Sequence, residues 1–387
     1  MPSRFTALRA PSAALLAILA LVRPRPARAE DSATYLFQDY QEENGRIGVK
    51  SSSAQIDQDL GTDMHIRLGG VTDAIAGATP TGQPAPAGSD QVVLSDLHDY
   101  RQAWNGSISD QIGRVNLGVG FSRSLEYDYV SNGYSLNTLT DFNQKNTTLL
   151  AGVAYTENNI EVNFGNRSWY MKRTADVIVG LTQLLDPHTS VTANFTFDRS
   201  TGYLSEPYKL VQKDIPIFAN IVIPITYSEN RPWDRDKGIA LISVTHDFAP
   251  AHGALEADYR YYADTYGITG HTVELAWYQH LGDKLILRPG LRGYQQRAAN
   301  FYYYNLDSTP IQPVFIPNPN SPHYSSDARL SALQSYDASF KVVWTPASWL
   351  EIEATVESYR DRGTDGLTPQ SAYYRATVNS IGAKITW

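Results

Sequence analysis

The last eight residues, SIGAKITW (380–387), read as a strand with two unlike faces: Ile381, Ala383, Ile385 and Trp387 alternate with Gly382, Lys384 and Thr386. Period-two alternation marks a β-strand with one apolar flank. Chain ends are ordinarily polar and frayed, so an indole in the last position raises the question of what that flank touches.

The same pattern recurs upstream. In VNLGVGF (115–121), SVTANFTFD (190–198) and LEIEATVE (350–357), apolar residues alternate with Gly, Asn, Thr, Asp or Glu. Between such segments lie tight turns rich in Pro, Gly, Asn and Asp: LGTD (60–63), SDQIGR (109–114), FNQKN (142–146), LDPHT (185–189), FAPAHG (248–253), LGDK (281–284) and TPAS (345–348). The spans between these turns each have room for an up-strand, a loop and a down-strand, and the longest loops are expected at 72–98, 203–236 and 303–328. Short turns on one side and long loops on the other are the rhythm of an outer-membrane barrel. A soluble sandwich or propeller would leave that rhythm without a cause, and no blade-like repeat is visible.

The fold class is therefore all-β, a transmembrane antiparallel β-barrel. Seven spans after Gly61 give about 14 strands, with the barrel at 61–387. Residues 30–60 are then an N-terminal periplasmic segment or an extra hairpin around Glu42-Glu43-Asn44-Gly45, which would make 16. Only closure satisfies every strand's hydrogen bonds within hydrocarbon, so the last strand must pair with the first. Ile381, Ala383 and Ile385 would then face lipid, with Trp387 at the interface. Arg375, Thr377 and Asn379 share their parity, so a bulge that switches faces is expected near 378–380.

Bulk properties agree. Residues 1–29 carry Arg4 and Arg9, an apolar core at 13–22 and Ala27-Arg28-Ala29, the outline of a cleaved secretory signal. Removing its five Arg leaves 27 basic residues against 40 acidic, a net charge of −13. That balance excludes nucleic acid as a partner, since phosphate binding needs a basic surface. With no cysteine, disulfides, thiolate chemistry and Cys-based zinc sites are excluded. After residue 30 no apolar run reaches the roughly 18 residues of a membrane helix.

If the apolar positions face lipid, the intervening ones line the lumen: Glu256, Asp258, Arg260, Tyr262 and Asp264, then Thr272, Glu274, Tyr278 and His280, then Arg288, Arg292, Tyr294 and Gln296. Asp337, Lys341, Glu351, Glu353 and Glu357 follow on later strands. Rings of charge set pore selectivity, but charges of both signs also pair to stiffen a lumen, and their mixture here favours pairing. Asp57, Asp59, Gly61 and Asp63 lack the downstream Glu of a calcium loop, and the scattered histidines show no ligand spacing, so no metal is expected. A lipid-acting barrel enzyme would draw on His271 or His280, but no Ser is nominated beside them.

Two resemblances extend these readings. Ser380, Gly382, Ile385 and Trp387 resemble the C-terminal signal by which outer-membrane proteins are handed to the barrel-assembly machinery. Along most of the chain, DAIAGATPTG (73–82), EYDYVSNGYSLN (126–137), DFNQKNTTL (141–149), GLTQLLDPHTSV (180–191), GYLSEPYKLV (202–211), ENRPWDRDKG (229–238), ADYRYYADTYGITGHTVEL (257–275), RPGLRGYQQRAANFYY (288–303) and SSDARLSAL (325–333) resemble the bacterial family catalogued as domain of unknown function 3570, with Gly293 where an aromatic is expected. The resemblance implies an outer-membrane barrel in a Gram-negative envelope and hands over no activity, catalytic residues or cofactor. It also hints at a neighbourhood of periplasmic redox or flavin-transfer systems.

The expectation is a passive, porin-like channel for small polar solutes, without enzymatic activity or cofactor, whose partners are outer-membrane lipid and the barrel-assembly machinery. The alternative is a non-conducting sleeve for a periplasmic, redox-active partner protein. Arg231, Asp234, Arg235, Arg260, Tyr262, Asp264, Arg288 and Arg292 are expected to form one polar network that folds a long loop into the barrel as a plug or constriction.

Overall fold

The computed structural model describes residues 31–163, 167–218 and 221–387. The expected signal at 1–29 lies outside them. The strands are β1 (Ser32–Glu42), β2 (Gly48–Leu60), β3 (Met64–Pro80), β4 (Leu94–Ile112), β5 (Val115–Leu125), β6 (Tyr129–Phe142), β7 (Thr147–Asn163), β8 (Arg167–Asp186) and β9 (Thr189–Gly202). They continue as β10 (Leu210–Phe218), β11 (Ile221–Ser228), β12 (Asp234–Phe248), β13 (Gly253–Asp264), β14 (Thr269–Leu281), β15 (Leu285–Gln296), β16 (Leu333–Ala347), β17 (Leu350–Gly363) and β18 (Arg375–Thr386). Sixteen of them close into one antiparallel barrel, while β10 and β11 form a separate hairpin between β9 and β12.

The final strand finds the partner that its alternation demanded. β1 and β18 pair from Ser32↔Thr386 to Glu42↔Ala376, and the Trp387 amide donates to the Asp31 carbonyl at 3.0 Å. No barrel edge is left unpaired, which is the condition for surviving in hydrocarbon.

Of the two strand counts, the sixteen-strand alternative is the one formed: residues 30–60 supply β1 and β2 inside the barrel, so it starts at Ser32 rather than at 61. The signal was weak because the outward positions of β2 include Lys50, Ser52 and Gln58, which give no apolar face to read. The loop expected at 72–98 is also mostly strand. β3 and β4 pair up to Pro80↔Leu94, which confines the connection to 81–93.

No bulge occurs at 378–380, where the ladders on both sides of β18 run on in register. Arg375, Thr377 and Asn379 stay on the outer face because the strands outrun the membrane. β8 has 20 residues, whereas a tilted strand crosses hydrocarbon in about 9–11. The outer wall near the long loops is accordingly polar, with Arg173–Glu157 at 3.4 Å and Arg199–Asp236 at 3.8 Å.

Nearer the short turns the outer wall is apolar. Val119 on β5, Val179 on β8 and Phe195 on β9 are exposed there, and Val356 on β17 and Ile381 on β18 are each 56% exposed. A monomer in water rarely carries so extended an apolar surface, whereas a bilayer requires it. Gly293 also faces outward, with nothing within 4 Å of the Cβ it lacks.

The buried apolar clusters sit among the loops at one end of the cylinder. One joins Tyr266, Ile268, Ala299, Phe301 and Leu330; another joins Val211, Leu306 and Tyr324. At the opposite end the connections are short, as between β4 and β5 or β8 and β9. Connections that short join adjacent strands and cannot reach across a sixteen-strand lumen.

Candidate functional site

The chain leaves the wall after β9 at Gly202, where φ is +101° and a Cβ would meet the Met171 carbonyl oxygen at 2.2 Å. Only glycine fits that corner. The segment it releases crosses the mouth to the far side of the ring. There the Leu210 amide donates to the Thr81 carbonyl at 2.7 Å, and the Lys209 ammonium donates to the Pro80 carbonyl and, at 3.3 Å, to the Thr79 hydroxyl.

The loop between β15 and β16 locks onto this crossing. Asn230 and Tyr324, both fully buried, exchange backbone hydrogen bonds at 2.9 Å. The Asn230 side chain also donates to the Asn318 and Pro322 carbonyls and accepts from the Asn318 amide, each at 2.9 Å. The Tyr324 hydroxyl accepts from the Val314 amide at 2.8 Å and donates to the Val314 carbonyl at 3.1 Å.

An ionic hub joins the two loops. Arg231 meets Glu229 at 2.7 Å and Asp327 at 2.8 Å. Arg329 meets Asp327 at 2.5 Å and Glu206 at 3.5 Å. Glu229 accepts from the Ser325 hydroxyl and the Glu206 amide. Burial pushes the Glu229 carboxyl up, although Arg231 opposes this. Burial pushes the same way on Asp327, but Arg329, Arg231 and Lys209 outweigh it and hold that carboxyl well below the usual range. Burial draws the Lys209 ammonium down. Asp327 is thus the lasting negative charge that two guanidiniums share.

The network expected from sequence resolves into separate groups. Arg231 belongs to the hub. Arg235 on β12 meets Asp264 at 2.5 Å and donates to the Tyr262 hydroxyl at 3.0 Å, and Tyr262 donates to Asp264 at 2.6 Å. Arg288 lies 3.6 Å from Glu256, which also accepts from Tyr278 at 3.3 Å. Asp258 stands opposite Glu274, and Glu274 opposite Arg292. Arg260 lies between Leu241 and Thr272. Asp234 is not in the lumen: it adjoins inward-facing Arg235 on one strand, so its side chain turns to the outer face. Ser380 and Gly382 face inward on β18, with Ile385 and Trp387 on the outer parity.

A cavity of about 440 Å³ under the plug is lined by Arg231, Arg235, Arg260, Tyr262 and Arg292, among others. A second, of about 290 Å³, opens toward β1, β3 and β4. Glu206, Asp327 and Arg329 line both, so the hub is the partition between them. Sequence reasoning missed Glu206, Lys209, Glu229, Asp327 and Arg329, although every one lies in a segment that carries the family resemblance.

Of the acidic groups, Asp57 and Asp59 bond to His65 and Arg67 at 2.6–3.2 Å, an ion-pair ladder across β2 and β3. At the rim, Asp99, Glu126 and Asp128 bring carboxylate oxygens within 4.8 Å of one another. Internal donors already serve this cluster: the Tyr100 amide bonds Asp99 at 2.7 Å and the Tyr208 hydroxyl bonds Asp128. Burial, and then Asp99, push the Glu126 carboxyl up to about 7. His271 accepts or donates a 2.7 Å bond with Tyr259 on the outer face, with no serine in that bond.

Solved structures place this architecture among outer-membrane barrels. A bacterial polysaccharide outer-membrane secretin superposes with a TM-score of 0.50 at 6% identity, covering 92% of this chain and 98% of that one. The ferric enterobactin receptor PfeA of Pseudomonas aeruginosa, in mutant form, gives 0.45 at 11% identity over 88% of this chain and 54% of that one. The CymD monoaromatic hydrocarbon channel gives 0.41 at 11% identity over 92% and 88%. The chain thus spans about half the length of the PfeA receptor. No curated protein matches the sequence. The family model described as "Protein of unknown function (DUF3570)" matches residues 6–172 and 166–379, and the chain belongs to that family.

Proposed function

We propose that this barrel is a non-enzymatic, passive channel for small polar solutes, closed at its outer mouth by a plug that can yield. The observation that carries this reading is the ionic partition: Glu206, Asp327 and Arg329 line both cavities and so stand between them. The partition hangs on the one charge that Arg231 and Arg329 share, so losing Asp327 would unlatch the two loops from each other. Conductance of the purified protein in planar bilayers tests it. Small or intermittent currents are expected from the native chain, with larger steady ones after Asp327→Asn or deletion of 303–328. Silence from all three proteins would end the channel reading.

The second reading, a non-conducting sleeve for a periplasmic, redox-active protein, is favoured by the unlike ends. Loops fill the outer mouth, while at the other end the connections are too short to obstruct entry. Silent bilayers combined with co-purification of a periplasmic protein would support it. In either role the outward belt is matched to outer-membrane lipid, and the C-terminal strand to the barrel-assembly machinery.

A further inference from the structure

The lining of the larger cavity has an excess of guanidiniums, Arg231, Arg235, Arg260, Arg292 and Arg329 against the carboxylates of Glu206 and Asp327. Each acidic group on its lining is already engaged: Glu206 with Arg329, and Asp327 with Arg231 and Arg329. Arg235 is likewise committed, to Asp264 and Tyr262. Two other guanidiniums on the lining form no ion pair among the described residues. Arg260 is exposed to the lumen and makes no hydrogen bond or ion pair among the described residues. Arg292 has Glu274 and Asp337 opposite it in register and its charge is felt by Glu357 and Asp361, yet no carboxylate among the described residues lies within the 4.0 Å of an ion pair. Its guanidinium lies instead 5.9 Å from the centre of the Tyr294 ring. The carboxylates of Asp258 and Glu274, level with Arg292 on the neighbouring strands, line no part of this cavity.

We propose that this cavity is a binding site for a small organic anion, with a carboxylate or phosphoryl group held between Arg260 and Arg292 and an apolar body against Tyr294, Ile268 and Leu330. A guanidinium presents paired donors that match the oxygens of such a group. The remaining lining supplies the aromatic and aliphatic surface that a purely inorganic ion would not need. The volume of about 440 Å³ is in the range of small-molecule sites. The proposal deepens the channel reading by naming a solute class, but it is tested by binding rather than by passage, so a silent channel leaves it standing.

The experiment is titration calorimetry of the full chain in detergent micelles with benzoate, inorganic phosphate and benzylamine. Benzoate is expected to bind saturably, and benzylamine not to bind. The double variant Arg260→Gln/Arg292→Gln is expected to weaken benzoate by about tenfold or more, whereas Lys341→Gln, elsewhere on the wall, leaves it unchanged. Phosphate binding that is lost in the same double variant would assign recognition to the oxyanion; benzoate binding alone would assign part of it to the apolar body. Both support the site. Heat-modifiable migration on gels checks that each variant is a closed barrel. If the double variant does not close, Arg260→Lys/Arg292→Lys keeps the charge and loses the fork, and a weakening between native and none is expected. The site is overturned if neither benzoate nor phosphate binds, if benzylamine binds as well as benzoate, or if folded arginine variants bind like the native chain.

Discussion

Val179 on β8 and Tyr324 in the loop after β15 are both bulky, and their surroundings differ in kind. Val179 is 48% exposed on the outer wall, held by a backbone ladder that any side chain would share. Tyr324 is fully buried, with its hydroxyl engaged on both sides and its backbone clasped to Asn230. The wall depends on polarity and hardly on shape, because acyl chains adapt to whatever apolar group meets them. The plug depends on identity, because buried polar groups such as Asn230, Tyr324 and Glu229 have designated partners. Two regions of one chain therefore obey opposite substitution rules.

Neutralising the charge at the centre of the plug has the largest expected effect. Asp327→Asn removes the shared anion and leaves Arg231 and Arg329 facing each other, a loss of about 3–5 kcal/mol confined to the loops. Limited proteolysis is expected to cut between 303 and 328 while heat-modifiability of the barrel persists. A barrel that no longer closes would mean that plug and wall are one unit. On the wall, Val179→Arg is expected to cost about 2–4 kcal/mol, and Thr377→Arg, above the hydrocarbon, about 0–1. Urea unfolding in lipid vesicles reads both, and equal costs would contradict the assignment of the lipid-facing band. Asn230→Ala is expected to loosen the clasp by about 1–3 kcal/mol, seen as faster hydrogen exchange at 314–324 only.

The smallest effect is a pH dependence at the rim. The Glu126 carboxyl, with an ordinary value of 4.5, is raised to about 7 first by burial and then by Asp99. The folded rim therefore holds a proton that the unfolded chain has released between those values. Rim stability falls as pH rises from about 4.5 to about 7 and levels off above. Protease nicking near 126–128 should quicken across that window, and Glu126→Gln should flatten the profile.

Much of the wall was legible in sequence, since 115–121, 190–198 and 350–357 all form strands with the predicted face outward and all seven tight turns fall at one end. Lipid contact and strand pairing are periodic, and period survives in a single sequence. β1 and β2 are fainter in the sequence because Lys50, Ser52 and Gln58 occupy outward positions. The plug was only half legible. Arg231 was singled out, yet its partner Asp327 lies 96 positions away, and no local spacing encodes a loop-to-loop ion pair. Asp234 was misplaced because motif membership, rather than strand parity, put it beside Arg235.

The seam between β1 and β18 has a bearing on biogenesis. Ser32 is opposite Thr386, so the ring can shut only when the final strand has emerged and travelled the whole circumference to meet the earliest one. Until that moment the nascent sheet has two raw borders, and joining such distant borders is entropically slow. An escort that shields both borders would therefore govern the yield of finished cylinders more than any side chain in their interior.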